Sequence, residues 1–381
     1  MIQILCILVQ ILSENFELEV NMEQNTHRHE KFDRRTFIGT SMAATLAVAA
    51  NANSAPVENA PLGKDSKGRP LPYNPRTFQA MPTRNLGQTG HRVGIFSLGG
   101  QAVIETDNRD VAEAVINKAI DLGVNYIDTA AAYGGGKSEQ HIGPVMKYRR
   151  HEVYLATKTH DRSYDGSMRL LEKSLKQLQT DHLDCWQLHN VQTKDHTDKI
   201  FAKDGAIKAL EKAREQGVVR FLGITGHYDP FILIEALNHY PFDTLLMAFN
   251  AADKHQYSFI ENLLPVALGK KMGIIGMKVA TRGRMLSTWT PPPLEEQPKR
   301  MATNKPGAIT MRESLFYNFS VPVSTNIVGC DNPKQVEENI KWASEFTPYN
   351  SAVMAQLEKR CKPIVNQGLY FRKGIIDRLT S

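Results

Sequence analysis

The chain has 381 residues, 41% of them hydrophobic, with a formal net charge of +6; it is ample for one core of about 250 residues, and its modest charge excess, without an Arg-rich run interleaved with aromatics, does not suggest a nucleic-acid partner. No run of about 18 apolar residues occurs, so no stretch reads as a stable membrane span. Cys6, Cys185, Cys330 and Cys361 lie far apart with no Cys-x-x-Cys spacing, which argues against a metal site or a disulfide framework and makes a buried thiol the default for Cys185.

The first segment, residues 1–52, carries Asp33-Arg34-Arg35-Thr36-Phe37-Ile38-Gly39, an Ala-rich core over 41–50 and a small-x-small end at Ala52. These are the marks of a twin-arginine export signal, with cleavage expected after Ala52 or Ala55. The apolar Ile2–Val9 stands oddly far ahead of the arginines, so Met22 is the expected true start. The signal implies passage through the twin-arginine machinery, which carries folded proteins, and a periplasmic location. Residues 53–83 hold Pro56, Pro61, Pro70, Pro72 and Pro75 and read as a Pro-rich linker or loosely packed arm.

From Arg84 strands and helices alternate, the pattern of a parallel-sheet α/β fold. Val93–Gly100 reads as the first strand. Asp110–Leu122 follows as a helix, with Val111, Ala114, Val115, Ala119 and Leu122 at helical spacing and Gly123 as its stop. The strand ending at Asp128 precedes a helix over His141–Met146, a strand over Glu152–Lys158, a helix over Ser167–Gln179 and a strand over His182–His189. The rhythm continues with helix Ala206–Gln216 closed by Gly217, strand Phe221–Thr225, helix Pro230–Asn238, strand Thr244–Asn250, helix Ser258–Lys271, strand Gly273–Val279, helix Ile309–Phe319 and strand Thr325–Gly329. Val336–Phe346 closes a unit over 84–346, and Ala352–Lys362 is an extra helix within a C-terminal segment, 347–381. Eight strands each feeding a helix predict a closed (β/α)8 TIM barrel.

Three strand ends carry chemistry: Asp128 with Tyr133 five places on, Lys158, and His189. A phenol is a poor acid at neutral pH, titrating near ~10, and becomes useful when a cation stabilises its phenolate. Lys158 can do that, Asp128 can hold the lysine charged, and His189 can hydrogen-bond the oxygen that receives the proton. Such a set protonates a carbonyl oxygen while hydride reaches its carbon. Other readings are weaker. Gly134-Gly135-Gly136-Lys137-Ser138 imitates the end of a phosphate loop, but Ala131 stands where that pattern needs its first glycine. His182, Asp184 and His189 do not share one strand face, so no metal site is predicted.

At Asp-x4-Tyr-Gly, the strand-ending Lys158 and the strand-ending Leu188-His189 the chain resembles the aldo/keto reductases, over about Arg84 to Phe346. The resemblance implies a catalytic tetrad of Asp128, Tyr133, Lys158 and His189 and an NAD(P)-dependent oxidoreductase moving hydride between nicotinamide and a carbonyl or alcohol. No Gly-x-Gly-x-x-Gly follows the first strand, and in that family the dinucleotide lies across the barrel mouth. The matching cofactor-binding positions are Gly100, Asp128, Thr225, Asn250, Met277, Lys278, Gly329, Asn332, Gln335, Glu338 and Asn339. The last of these flank a helix start, where free N–H groups suit phosphate; a plain N-cap is the alternative use of Asp331 or Asn332.

Departures from the family pattern bear on specificity. Thr225-Gly226, then His227, replace the frequent Ser-Asn; an apolar residue near Met247 replaces a Gln; Met277-Lys278 stands where many members place a stacking aromatic. Asp331 lies near where members that prefer the 2′-phosphate often carry Arg, and a carboxylate there repels that phosphate, so NADP and NAD both stay open. Polar loops at Tyr164–Ser167, His227–Asp229 and Thr288–Lys305 suit a small carbonyl or sugar-like substrate. The rivals are a redox-neutral sugar enzyme with tightly bound cofactor and a non-catalytic dinucleotide-binding or regulatory barrel.

Overall fold

The computed structural model describes residues 63–65, 67–299 and 302–380; the expected export signal lies outside them. The arm begins with a short helix α1 (Thr77–Ala80) and a two-stranded antiparallel hairpin, β1 (Thr83–Asn85) and β2 (Arg92–Gly94). Then β3 (Phe96–Gly99), α2 (Arg109–Asp121), β4 (Tyr126–Asp128), α3 (Lys137–Arg149), β5 (Tyr154–Thr159), α4 (Tyr164–Gln177), β6 (Leu183–Leu188), α5 (Lys194–Phe201), α6 (Ala206–Gln216) and β7 (Val219–Gly226) alternate. They are followed by α7 (Pro230–His239), β8 (Thr244–Ala248), α8 (Phe259–Gly269), β9 (Gly273–Met277), α9 (Met311–Ser320), β10 (Thr325–Val328), α10 (Pro333–Ser344) and α11 (Ser351–Cys361), with short helices α12 (Val365–Gly368) and α13 (Ile375–Thr380) at the end.

Strands β3 to β10 close on themselves in sequence order, β10 pairing with β3, and every neighbouring pair is parallel. This is the (β/α)8 TIM barrel. Its strands are buried along nearly their whole length, as a sheet covered by helices requires. The helices start where the sequence supplies caps. Asn108, Ser163, Thr193, Asp229, Ser258 and Asn350 each accept a first-turn N–H, and Thr310 with Glu313 forms a reciprocal capping box. Gly217 ends α6 at φ 79°, a left-handed conformation that glycine adopts without a Cβ penalty.

Several expectations change. The run Val93–Gly100 is not one strand: Asn125 takes up the backbone at Arg92 O and Gly94 N, and Ile95 N turns to Pro82 O. Arg92–Gly94 therefore belongs to the hairpin, and only Phe96–Gly99 to the barrel. The helix expected over His141–Met146 runs from Lys137 to Arg149 with Pro144 inside it, and α5, capped by Thr193, is an element the sequence reading did not find.

The arm is not loose from residue 63 on. Leu71, Asn74, Thr77 and Met81 are buried; Asn74 Nδ2 donates to Ile120 O (2.8 Å) and Val124 O (3.2 Å), and Arg69 and Lys67 bond the carbonyls of Gly217 and Glu215. Arg84 adds bonds to the carbonyls of Phe319, Val321 and Val323. At the other face the tail is pinned by Arg372, fully buried, which donates to Asp253 Oδ1 and Ala248 O at 2.8 Å each and lies 4.0 Å from the Phe259 ring centre.

His91, in the hairpin loop, is buried against Tyr154 with ring centres 4.9 Å apart, and its Nε2 has no partner. Burial pushes its pKa down from 6.5 to about 4, against the pull of Asp184. The unfolded chain takes up a proton that the folded chain refuses, so this contribution to stability is complete above pH 6.5 and is lost as pH falls toward 4. Across that window urea unfolding of wild type should show a pH slope steeper than that of His91→Phe by about 1.4 kcal/mol per pH unit; equal slopes would contradict the assignment.

Candidate active site

Register brings the ionisable strand ends together. Asp128 pairs with Ala156 and Lys158 with Gln187, and strand alternation turns residues two apart to one face. Asp128, Lys158 and Gln187 thus meet inside the top of the barrel. Lys158 is 1% exposed and Asp128 fully buried. The ammonium bonds Asp128 Oδ1, donates to Thr129 O at 2.6 Å and lies 3.3 Å from Tyr133 OH. Gln187 Nε2 donates to the other Asp128 oxygen at 2.7 Å. His189 presents its ring to that of Tyr133 edge-on, centres 5.7 Å apart at 78°.

The electrostatics follow from burial and charge. Burial pushes the Lys158 ammonium toward neutrality, but Asp128 and, after it, Tyr133 outweigh it and leave its pKa above the ordinary value; the lysine stays charged. Burial raises the Tyr133 phenol, with Lys158 pulling it back and Asp128 adding to the rise. The net shift is upward, so the expected lowering by Lys158 is present only as an opposing pull, and Tyr133 rests as a protonated donor. Burial, then Lys158 and Arg162, hold His189 well below its usual value, which makes it a neutral imidazole with one N–H to give.

Beside this cluster runs a cleft of about 540 Å³ lined by Gly100, Asp128, Tyr133, Met277, Lys278, Gly329, Gln335, Glu338 and Asn339 among the expected positions. Thr225 and Asn250 do not line it. Thr225 Oγ1 accepts the N–H of Asn190 at 2.7 Å, and Asn250 Nδ2 is spent on Lys278 O, Thr281 Oγ1 and Gly368 O; both are fully buried props for rim loops. Asn332 is also outside the cleft wall: it caps α10, accepting from Gln335 N, while Gln335 Oε1 takes Asp331 N. That helix start therefore offers fewer free N–H groups than expected.

The donor set of the cleft fits a dinucleotide. Lys278 and Arg282 supply cations for phosphates, Met277, Leu286, Met311 and Trp342 supply apolar wall for rings, and Asp331, Gln335, Glu338 and Asn339 supply acceptors and amides for ribose hydroxyls. Burial, with Arg282 adding to it, brings Lys278 down to about 8. Two contacts link the loops on either side: Arg282 Nη2 to Glu105 Oε1 (3.1 Å) and Lys278 Nζ to Gln101 Oε1 (3.5 Å). Lys278, Thr281, Arg282 and Ala102, all in these loops, have φ between 51° and 66°, a concentration of left-handed residues typical of functional rims.

Gln187 was missed as a site residue although it lies two places before His189, on the same strand face; alternation alone could have found it. Gln101, Glu105 and Arg282 had no such signal, since only tertiary structure brings their segments together at the mouth.

The chain belongs to the aldo/keto reductase family, whose model matches residues 92–361. It is 27% identical over 297 residues to the uncharacterized oxidoreductase YqkF of Bacillus subtilis, covering 69% of this chain and 92% of that one. It is 26% identical over 309 residues to L-galactose dehydrogenase of Arabidopsis thaliana, covering 74% and 95%. Among solved structures, the holo form of aldo-keto reductase AKR11C1 from Bacillus halodurans superposes with a TM-score of 0.61 at 25% identity, covering 74% of this chain and 96% of that one.

Gln187→Leu removes one of the donors on the fully buried Asp128 carboxylate. It should cost about 1–3 kcal/mol of stability in urea unfolding; a variant as stable as wild type would show that Gln187 does not support the ion pair.

Proposed function

We propose that the protein is an NAD(H)-preferring reductase of small, sugar-like carbonyl compounds. The observation that carries this reading is the Lys158 ammonium, backed by buried Asp128 and 3.3 Å from the Tyr133 hydroxyl at the edge of the cleft. When bound there, a nicotinamide dinucleotide supplies hydride to a carbonyl carbon or takes it from an alcohol. Tyr133 gives its proton to the carbonyl oxygen, and Lys158 stabilises the phenolate left behind. Asp128 and Gln187 keep the lysine charged and in place. His189 orients the substrate oxygen through its one N–H. In the alcohol-oxidising direction the same groups take the proton back. Support for a sugar-like substrate comes from the polar loops around the mouth and from the relative named L-galactose dehydrogenase.

The preference for NAD(H) rests on Asp331 and Glu338, two carboxylates in the cleft wall beside α10, which repel a 2′-phosphate and accept from a 2′-hydroxyl. The bridges across the cleft favour slow cofactor exchange. Export of a cofactor-loaded protein through the signal in residues 1–52 belongs to the same proposal.

Consumption of NADH with an aldehyde and sugar panel tests the reaction. Tyr133→Phe should bind dinucleotide like wild type and lose turnover by about 100- to 10,000-fold; retained turnover would remove the tyrosine from its role. Wild type should favour NADH over NADPH by at least about tenfold in kcat/KM, and Asp331→Asn with Glu338→Gln should narrow that ratio, because a single opposed charge near a phosphate is worth about 1 kcal/mol or more. Replacing Arg34 and Arg35 by lysines should abolish recovery in the periplasmic fraction; unchanged recovery would dismiss this export route.

A further inference from the structure

One imidazole at the mouth is left unused by the proton transfer above. His227 follows the end of β7, half-buried, with Nδ1 2.9 Å from Asn190 Oδ1. A carbonyl oxygen only accepts, so in this pairing Nδ1 carries the proton and Nε2 keeps a lone pair. Nε2 has no partner among the described residues. The edge of Phe371 holds the ring from another side, with centres 5.8 Å apart at 69°, and Phe371 precedes the clamped Arg372. Burial, then the field of Lys278, keeps the ring neutral.

Asn190 is itself fixed. It follows His189 directly, has φ 51°, gives its N–H to Thr225 Oγ1 at 2.7 Å and receives Arg162 Nη2 on its carbonyl at 3.2 Å. Thr225, Asn190 and His227 thus form a chain of contacts that holds an acceptor nitrogen against the segment following His189, within the field of Lys278, His189 and Lys158. The carbonyl oxygen of a substrate needs donors, and Tyr133 and His189 provide them. A lone pair on Nε2 cannot serve that oxygen. It can serve a hydroxyl hydrogen.

We propose that His227 Nε2 accepts a hydrogen bond from a hydroxyl on the carbon next to the reacting carbonyl, and that Asn190 is the positioning residue that fixes its tautomer. The inference rests on the reductase reading and names the substrate class within it: α-hydroxy carbonyl compounds. A site built to receive a hydroxyl discriminates against the analogue that lacks it, because its acceptor is then left unpaired.

The test is NADH consumption with glyceraldehyde and with propanal, which lacks the hydroxyls. Wild type should favour glyceraldehyde by at least about tenfold in kcat/KM, and His227→Phe, which keeps a ring against Phe371, should reduce that preference by about tenfold, the size of one hydrogen bond. The loss should appear as a raised KM for glyceraldehyde, with kcat changing less. Asn190→Gly, which suits the left-handed backbone, should reduce the same ratio and guards against misfolding of the first variant. An unchanged ratio in both folded variants overturns this inference alone. A wild type that binds NADH but consumes it with neither aldehyde overturns the reductase reading and this inference with it.

Discussion

The site depends on one buried ion pair. Taking an ammonium and a carboxylate out of water costs several kcal/mol per ion, and that cost is offset only when the remaining donors and acceptors are satisfied. Here the barrel meets the condition with three consecutive strands: β4 brings Asp128, β5 brings Lys158, and β6 brings Gln187 to the second carboxylate oxygen, while Thr129 O receives a further ammonium proton. Closure of the barrel turns these groups inward at one height. The charge available to the phenol is therefore a property of the fold, held by neighbours that cannot move independently.

Much of this was legible in the sequence. The alternation of apolar runs with helical periodicity marks the barrel because a parallel strand covered on both faces has nowhere to place polar residues except its ends. That restriction is also why Asp128, Lys158 and His189 stand out. Less visible was anything set by contacts between distant segments. Asn250 and Thr225 have the polarity of ligands but are consumed in supporting the rim, and the tail clamped by Arg372 shows no local pattern. The split of Val93–Gly100 is of the same kind: the two halves look alike, and a side-chain amide from Asn125 decides where one sheet ends and the next begins.

Charge is divided along the cleft. Lys278 and Arg282 line the side that follows β9, with Lys158 behind Tyr133, whereas the wall at the start of α10 carries Asp331 and Glu338. An elongated ligand that is anionic in its middle and rich in hydroxyls at one end matches that division, and one with an extra anion at that end does not. The imidazoles of His189 and His227 are neutral, so near the phenol Lys158 acts on reacting groups whose own charge changes little over the ordinary pH range.

The arm and hairpin over residues 67–94 lie as a floor across the strand starts, with Leu86 against Gly273 and His91 against Tyr154, and this shapes how the molecule comes apart. A ring of repeated strand–helix units can in principle open as two halves, each with part of the core. This floor is bonded to the loop before β4 through Asn74, to the turn before β7 through Lys67 and Arg69, and to the segment before β10 through Arg84. Fraying of either half would have to break a tie to the other, so partial opening gains little chain freedom for the contacts it loses. Such stitching couples early and late units, so that local opening of one is opposed by its ties to the other.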